Sequence, residues 1–384
     1  MAARIVVFGA TGYTGRLTAE ALHRHGQRPV LAGRSAAKLE QLAGEMGGDL
    51  DVAVADVARP ESVRGLVGKG DVLVSTVGPF VRWGEAAVQA ALRKGAHYLD
   101  SNGEPPFTRR VFERHGPAAA PACIAMLTAF GWESVPGNLA GALALREAGE
   151  AAVRVDTGYF HTAPSVFSGG TRASFAGAMA LPSFAFRDGA VRTVRGADRY
   201  RTMPVGGRRR PGVALGASEH FALPRTFPQL REVNAYLGWF GPLSRPVHVL
   251  SPLGFAALRI PGARALYEAV TSRYIKGSKG GPGADERARG GTHVVGLAYD
   301  ALGTQLAEVH LGGVEGYEFT GAILAWGAER LAAGAVTGTG ALGPVEAFGI
   351  DELEAGCGRA GIARASRGGR NARSSTHEHA RHDG

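Results

Sequence analysis

The stretch Ile5-Val6-Val7-Phe8-Gly9-Ala10-Thr11-Gly12-Tyr13-Thr14-Gly15 constrains this chain more than any other. An apolar run reads as a buried strand. It breaks at Gly9, and helical periodicity follows over residues 14–25. Strand, glycine turn and helix are the geometry that holds a diphosphate. Gly9 permits the tight turn, Gly12 lets backbone approach the pyrophosphate, and Gly15 lets helix and strand pack closely. The free N–H groups and the positive end of the helix dipole then face the phosphates. The spacing is Gly-x-x-Gly-x-x-Gly. Fifty-eight glycines are spread through the chain, so the triplet gains its meaning from the strand and helix around it.

The pattern then repeats. Apolar strands are expected at 30–32, 52–55, 72–76, 97–99 and 123–127, with helices at 36–46, 61–67 and 85–94 between them. Continuous apolar strands alternating with helices predict a parallel sheet covered on both faces, doubly wound, with the ligand crevice beyond the carboxyl ends of the strands. After about Gly131 the character changes. Helices are expected at 139–147 and 171–179. Residues 153–160 alternate like a strand with one face exposed, 292–299 and 305–311 read as a hairpin closed by Asp300-Ala301-Leu302-Gly303, and 318–333 reads as a long apolar helix. Residues 276–289 are glycine- and charge-rich and are expected to be a mobile loop. The predicted fold class is α/β: a Rossmann doubly wound parallel sheet with a second α/β (α+β) domain carrying a mixed sheet. The expected boundaries are 1–130, 131–315, a C-terminal helix over 316–350 returning to the first domain, and a disordered tail at 356–384.

Composition narrows the class. At 384 residues, 45% hydrophobic and 20% charged, the chain reads as a soluble globular protein of two domains. No apolar run is long enough to cross a bilayer, Met-Ala-Ala-Arg leads directly into the first strand, and two cysteines make no disulfide framework, so the cytoplasm is the expected location. The net charge of +9 is concentrated between Arg187 and Arg210 and in the tail, without any nucleic-acid-binding signature.

Candidate ligand contacts fall at strand tips. Gly33-Arg34-Ser35 ends the second strand with an arginine where a carboxylate would hold a ribose 2′-hydroxyl; arginine suits a 2′-phosphate and points to NADP. Asp56-Val57 ends the third, where the carboxylate either accepts from an adenine or caps the next helix. Thr76-Val77-Gly78-Pro79-Phe80 turns abruptly over the crevice beside the nicotinamide end. Asp100-Ser101-Asn102-Gly103-Glu104 sets polar groups at its mouth. Asp100 and Glu104 are acid–base candidates there, with helix capping as the alternative for Glu104. Gly131 to Asn138 reads as a structural joint, with Ser134 as an N-cap and Pro136 in the first turn; direct chemistry from Glu133 or Ser134 is the lesser reading. Tyr-x-x-x-Lys, Gly-x-Ser-x-Gly and Cys-x-x-Cys are all absent. His377, Glu378, His379 and His382 lie in the tail, and no metal site is expected.

These motifs together resemble the saccharopine dehydrogenase-like NADP-binding oxidoreductases: Gly9 to Gly15, Ala32-Gly33-Arg34, Val77 to Phe80, Tyr98-Leu99-Asp100, Gly103-Glu104 and Gly131 to Pro136. With Gly316 to Thr320, the chain is similar to the branch containing trans-acting enoyl reductases of polyketide and lipid synthesis. The resemblance implies NADP contacts at Gly9, Thr11, Gly12, Tyr13, Thr14, Gly15, Arg34, Asp56, Gly78 and Pro79, with Ser35, Val57, Thr76, Val77 and Phe80 beside them. It implies reduction of an enoyl or carbonyl group on a small-molecule or carrier-bound acyl substrate and assigns no catalytic residue; the proton-source candidates are water, Tyr159 and Tyr317. An acidic carrier protein would meet Arg192, Arg195, Arg199, Arg201 and Arg208 to Arg210. A homodimer stays open. The lysine–histidine pair of saccharopine-cleaving enzymes is not found. A saccharopine-type amino-acid or imine dehydrogenase and a non-catalytic NADP-binding scaffold remain as alternatives.

Overall fold

A computed structural model describes residues 3–163, 168, 181–257, 260–263 and 280–365. The helix expected at 171–179, residues 276–279 and the tail beyond 365, with its histidines, lie outside the described residues.

The first domain is built from β1 (Ile5–Phe8), α1 (Tyr13–Arg24), β2 (Val30–Gly33), α2 (Ala36–Glu45), β3 (Val52–Val54), α3 (Pro60–Arg64), β4 (Val72–Ser75), α4 (Phe80–Trp83), α5 (Glu85–Lys94), β5 (His97–Asp100), α6 (Pro105–Arg110), α7 (Gly116–Ala119) and β6 (Ala125–Leu127). Strand alternation explains how the sheet is covered. Val7, Val74, Leu99 and Leu127 point to one face with α1 and α2, while Val6, Phe8, Leu73, Tyr98 and Met126 point to the other, against α5 and α6. The strands are parallel and ordered β3-β2-β1-β4-β5-β6, so the order reverses between β1 and β4. That reversal opens the crevice. β3 sits at the sheet edge, which leaves Val52 and Val54 exposed.

The second domain follows with α8 (Val135–Ala148), β7 (Arg154–His161), β8 (Ser183–Arg187), β9 (Ala190–Val194), β10 (Tyr200–Val205), β11 (Arg208–Ala214), α9 (Glu219–Thr226), β12 (Glu232–Leu237), α10 (Ser244–Ala257), α11 (Ala284–Arg289), β13 (Thr292–Tyr299) and β14 (Gln305–Gly313). Its sheet is mixed: β7 and β12 are parallel, while β13 runs antiparallel to β7 and β14. The β13–β14 turn is held by Asp300, whose carboxylate accepts from the Leu302 and Thr304 amides at 2.9 and 2.8 Å. Contrary to the expectation of one exposed face, β7 is buried on both. α8 covers one side, and Phe160, Met203, Tyr236, Val295 and Leu297 make a small core on the other.

The chain then weaves back. α12 (Gly316–Ala332) packs on α1, where Gly321 lies against the Leu17 backbone; a Cβ there would come within 3.0 Å of it. β15 (Gly340–Ala341) joins the first sheet beside β6. α13 (Pro344–Phe348) and α14 (Ile350–Arg359) precede β16 (Ile362–Arg364), which pairs with β14 in the second sheet. The expected disorder from Gly356 is therefore corrected for residues 356–365. Cys357 and Ile362 are fully buried, so a few spaced apolar side chains dock a segment whose composition is otherwise polar. The expected loop at 276–289 is likewise corrected in its described part, because Ala284–Arg289 is helical, with Glu286 accepting from the Gly283 amide at 2.8 Å.

Candidate functional site: the crevice between the two domains

Gly9 adopts φ +94°, which turns β1 into the loop without a Cβ penalty. A Cβ on Gly15 would lie 2.2 Å from the Gly9 carbonyl oxygen and 2.7 Å from Thr76 Oγ1, so only glycine lets α1 start this close to β1 and β4. Thr76 reinforces the joint by donating to the carbonyls of Phe8 and Gly9 at 3.2 and 3.3 Å. α1 begins on Gly12 with no side-chain cap and no acidic residue in its first turn. Its leading amides and dipole are thus directed at whatever lies in front of the loop, which fits a diphosphate.

The rim follows the strand tips. Arg34 is exposed immediately beyond β2. Asp56 is neither an N-cap nor fully committed: one oxygen accepts from the Ala58 amide at 3.0 Å, holding its own turn, while α3 starts later, at Pro60. Past β4 the Gly78–Pro79 peptide is cis and α4 starts at Phe80.

Asp100 and Glu104, the two acid–base candidates, are engaged in hydrogen bonds that hold loops in place. The Glu104 carboxylate accepts from the Phe80 and Val81 amides at 2.7 and 2.8 Å. It caps α4, which follows the neighbouring strand β4, and not the helix that follows it in sequence. Asp100 is fully buried and accepts from the Ala129 and Asn102 amides and from Thr128 Oγ1 at 2.7, 2.9 and 2.8 Å. Burial raises its pKa to about 6 against those hydrogen bonds. Both carboxyls stitch the loops after β4, β5 and β6 together.

The second domain supplies the facing wall. Tyr13, on the first turn of α1, donates to the Pro282 carbonyl and accepts from Arg287 at 3.0 Å; Arg287 also donates to Pro282 at 3.0 Å. The Tyr317 ring meets Tyr13 edge-on at 5.0 Å, and its hydroxyl accepts from the Ser168 amide at 2.8 Å. Glu315 caps α12 by accepting from the Tyr317 amide at 2.8 Å. Tyr317 therefore stands beside the glycine loop, with its hydroxyl engaged by the Ser168 amide.

Tyr159 is likewise engaged. It is buried, and its hydroxyl meets both Glu219 and, at 3.2 Å, the Ser134 carbonyl. One hydroxyl proton serves two acceptors only as a shared, weaker bond. A neutral Glu219 donating from Oε1 to the Tyr159 oxygen, with Tyr159 donating to Ser134, gives each contact its own proton and leaves Glu219 Oε2 without a partner among the described residues. Burial, which lifts Glu219 to about 7, favours that state. Ser134 is at the N-cap position of α8 but its hydroxyl bonds Ser218, and Asn138 donates to the Ser134 carbonyl at 3.0 Å and to Ser218 Oγ at 2.9 Å. The cluster is a buried scaffold behind the crevice wall.

The arginines expected to form a carrier-binding stripe are largely spent on internal pairs. Arg187 pairs with Asp198, Arg199 with Glu232, and Arg201 with the fully buried Asp156. Arg195 bonds Ser251, Arg209 bonds the Thr202 carbonyl at 2.7 Å and Arg210 bonds that of His161 at 2.7 Å. Arg192 and Arg208 are exposed.

Comparison with known proteins agrees with the glycine loop. The saccharopine dehydrogenase NADP binding domain family matches residues 5–126. That match runs through the first domain, from β1 into β6. Its curated relatives include a trans-acting enoyl reductase of Mycobacterium leprae, 39% identical over 140 residues (35% of this chain and 34% of that one), and a putative trans-acting enoyl reductase of Mycobacterium tuberculosis, 36% identical over 178 residues (44% and 42%). The match thus spans well under half the length of these relatives. Among solved structures, a saccharopine dehydrogenase (L-Glu forming) from Saccharomyces cerevisiae is similar over 95% of this chain and all of its own (TM-score 0.57, 12% identity). A homospermidine synthase from Legionella pneumophila in complex with NAD is similar over 94% and 91% (TM-score 0.59, 11% identity). At these identities the two share the fold with this chain: a Rossmann-type parallel sheet and a second, mixed-sheet domain.

Beside the crevice and behind its wall lie residues that sequence reading misses or ranks low. Arg287 sits in a segment whose glycine and charge content reads as loop, and its partner Tyr13 is more than 270 residues away in sequence. Glu219 carries no motif. Glu133 had a signal in Gly-Trp-Glu-Ser-Val-Pro but was outweighed by the polar run at 100–104. No helix among the described residues is long and apolar enough to cross a membrane.

Proposed function

We propose that this chain is an NADPH-dependent oxidoreductase that reduces an enoyl or carbonyl group of an acyl or polyketide-type intermediate. The observation that carries the reading is the uncapped start of α1, an NADP-binding turn facing a crevice walled by a second domain. The relatives named trans-acting enoyl reductase support the enoyl arm, and their names imply a substrate delivered as a carrier-bound thioester. The proposed contacts are Gly9 to Gly15 for the diphosphate, Arg34 for the 2′-phosphate, Asp56 for the adenine side, and Thr76 to Phe80 for the nicotinamide end. When bound, NADPH supplies a hydride. The protein's part is to align the acceptor carbon, keep water out of the crevice and deliver a proton to the neighbouring carbon or to the carbonyl oxygen. Its proposed location is the cytoplasm.

The test is oxidation of NADPH by the purified full chain against a panel of crotonyl and longer enoyl thioesters, simple ketones, and glutamate-forming imine pairs. Turnover with an enoyl thioester supports the reading. Turnover confined to imines turns it into a saccharopine-type dehydrogenase. Tight NADPH binding without turnover on any member turns it into a cofactor-holding scaffold.

A further inference from the structure

Three carboxyls reach the rim of the crevice from its nicotinamide side, and their partners separate them. Asp100 and Glu104 spend their oxygens on backbone amides and on the Thr128 hydroxyl. Glu133 is different. It lies in the segment between β6 and α8 that joins the two domains, and it is partly buried. Among the described residues no donor meets its carboxylate, and no charged neighbour contributes to its environment; burial alone acts on it. Its backbone is fixed on both sides. The Trp132 amide donates to Thr320 Oγ1 at 3.1 Å, and the Ser134 carbonyl accepts from Tyr159.

The direction of the side chain is given by a glycine. A Cβ on Gly103 would lie 2.5 Å from a Glu133 carboxylate oxygen, so the missing side chain is the space the carboxyl occupies. Gly103 is in the loop after β5, which Glu104 ties to Phe80 and Val81 next to Gly78-Pro79. The carboxyl thus stands on the loop pair that borders the nicotinamide end of a dinucleotide laid along the glycine turn. The cluster behind it, Tyr159 with Glu219, anchors the same segment through the Ser134 carbonyl.

We infer that Glu133 is the catalytic acid of this crevice, protonating the carbon or oxygen next to the position reduced. The inference rests on the reductase reading above and deepens it. For an enoyl thioester, whose β-carbon would take up the hydride that bound NADPH would supply, the π pair would move to the α-carbon through the thioester enolate and the Glu133 proton would complete the α C–H bond. Glu133 is left as carboxylate and regains its proton from water. For a carbonyl the hydride adds to carbon and the same proton goes to oxygen. Burial raises the pKa of Glu133 to about 7, which keeps a protonated fraction at neutral pH, as a general acid requires. Tyr159 and its own carboxyl partner are the titratable groups next to it; both are buried, and burial holds Tyr159 neutral.

The test compares wild type, Glu133→Gln and Glu133→Asp as full chains. NADPH binding is measured by nucleotide fluorescence, and turnover with the best substrate of the panel across pH. Glu133→Gln is expected to bind NADPH within ~2-fold of wild type and to lose ~100-fold or more in kcat, in the range general-acid catalysis contributes. The alkaline fall in kcat, centred near the Glu133 pKa, disappears with it. Glu133→Asp recovers part of the rate with a displaced pH profile. An infrared titration of the apoprotein should show one carboxyl band fewer near neutral pH in Glu133→Gln. Wild-type turnover with an unchanged rate and pH profile in Glu133→Gln overturns the inference and leaves the reductase reading standing. A wild type inactive on the whole panel overturns the reductase reading, and this inference with it.

Discussion

In the proposed function, Arg34 is the residue that sets which nicotinamide coenzyme the crevice prefers. It is exposed at the tip of β2, where a carboxylate would accept from a free ribose 2′-hydroxyl and repel a 2′-phosphate. Arg34→Ala should weaken NADPH binding about 10- to 100-fold, or about 1.4–2.8 kcal/mol, while leaving NADH binding nearly unchanged. Paired fluorescence titrations measure both; an unchanged NADPH-to-NADH ratio would remove Arg34 from the site. The same scale shows how far residue chemistry was readable in advance. Gly9 and Gly15 were legible, because the backbone conformation and close approach they serve admit little else. The acidic residues were not. Asp100, Glu104 and Glu133 carry similar side chains, and only their partners tell them apart. Amides at residues 80, 81, 102 and 129 consume the first two. Hydrogen-bond demand of that kind has no local sequence mark.

At the scale of elements, periodicity served the first domain well and the second less well. Strands buried on both faces, such as Ile5–Phe8 and Val72–Ser75, announce themselves as unbroken apolar runs. The arginine-rich β8–β11 region gives no such signal. Its strands are secured by ion pairs such as Arg201 to Asp156, whose partner lies on β7, and Arg199 to Glu232, whose partner begins β12. Residues 281–287 hide their role for the same reason. They reach the start of α1 through Tyr13, whose hydroxyl bonds both Pro282 and Arg287, and Gly281 leaves room for the Tyr13 ring; a Cβ there would fall 2.7 Å from it. This strap joins the second domain to the diphosphate turn. Tyr13→Phe keeps the edge contact with Tyr317 and removes both hydroxyl bonds. Its expected result is faster amide exchange over residues 284–290, with protection of β1 and β4 unchanged. Arg287→Ala should do the same. Exchange in 284–290 identical to wild type in both variants would mean that the contact does not hold the strap.

For the molecule as a whole, the buried titratable groups set opposing limits on stability. Glu219 and Glu133 are raised to about 7 and Asp100 to about 6, each chiefly by burial. Such a carboxyl binds more protons folded than unfolded. Its contribution is complete below the ordinary carboxylate range near 4 and is lost as pH rises through the folded value. His161, His220 and His293 are lowered to about 4, again chiefly by burial. A histidine of this kind binds fewer protons folded than unfolded, so its contribution is complete above the ordinary value near 6.5 and is lost as pH falls toward 4. Below 6.5 the two sets oppose one another. Above it the histidines no longer respond, and the two glutamates alone pull stability down. Fully buried Glu219 can act with a slope of up to about 1.4 kcal/mol per pH unit until it is ionised. Urea unfolding should therefore give a shallow maximum between about pH 6 and 6.5, with the alkaline decline levelling off past about pH 7.5. Glu219→Gln tests the assignment, since the amide keeps the shape and cannot ionise. It should roughly halve the alkaline decline, leaving the Glu133 part, and steepen the acid side, where Glu219 no longer opposes the histidines. A wild type whose stability rises steadily from pH 6.5 to 8 would show that Glu219 is ionised in the folded protein, and the neutral hydrogen-bonded chain from Glu219 through Tyr159 to Ser134 would have to be abandoned.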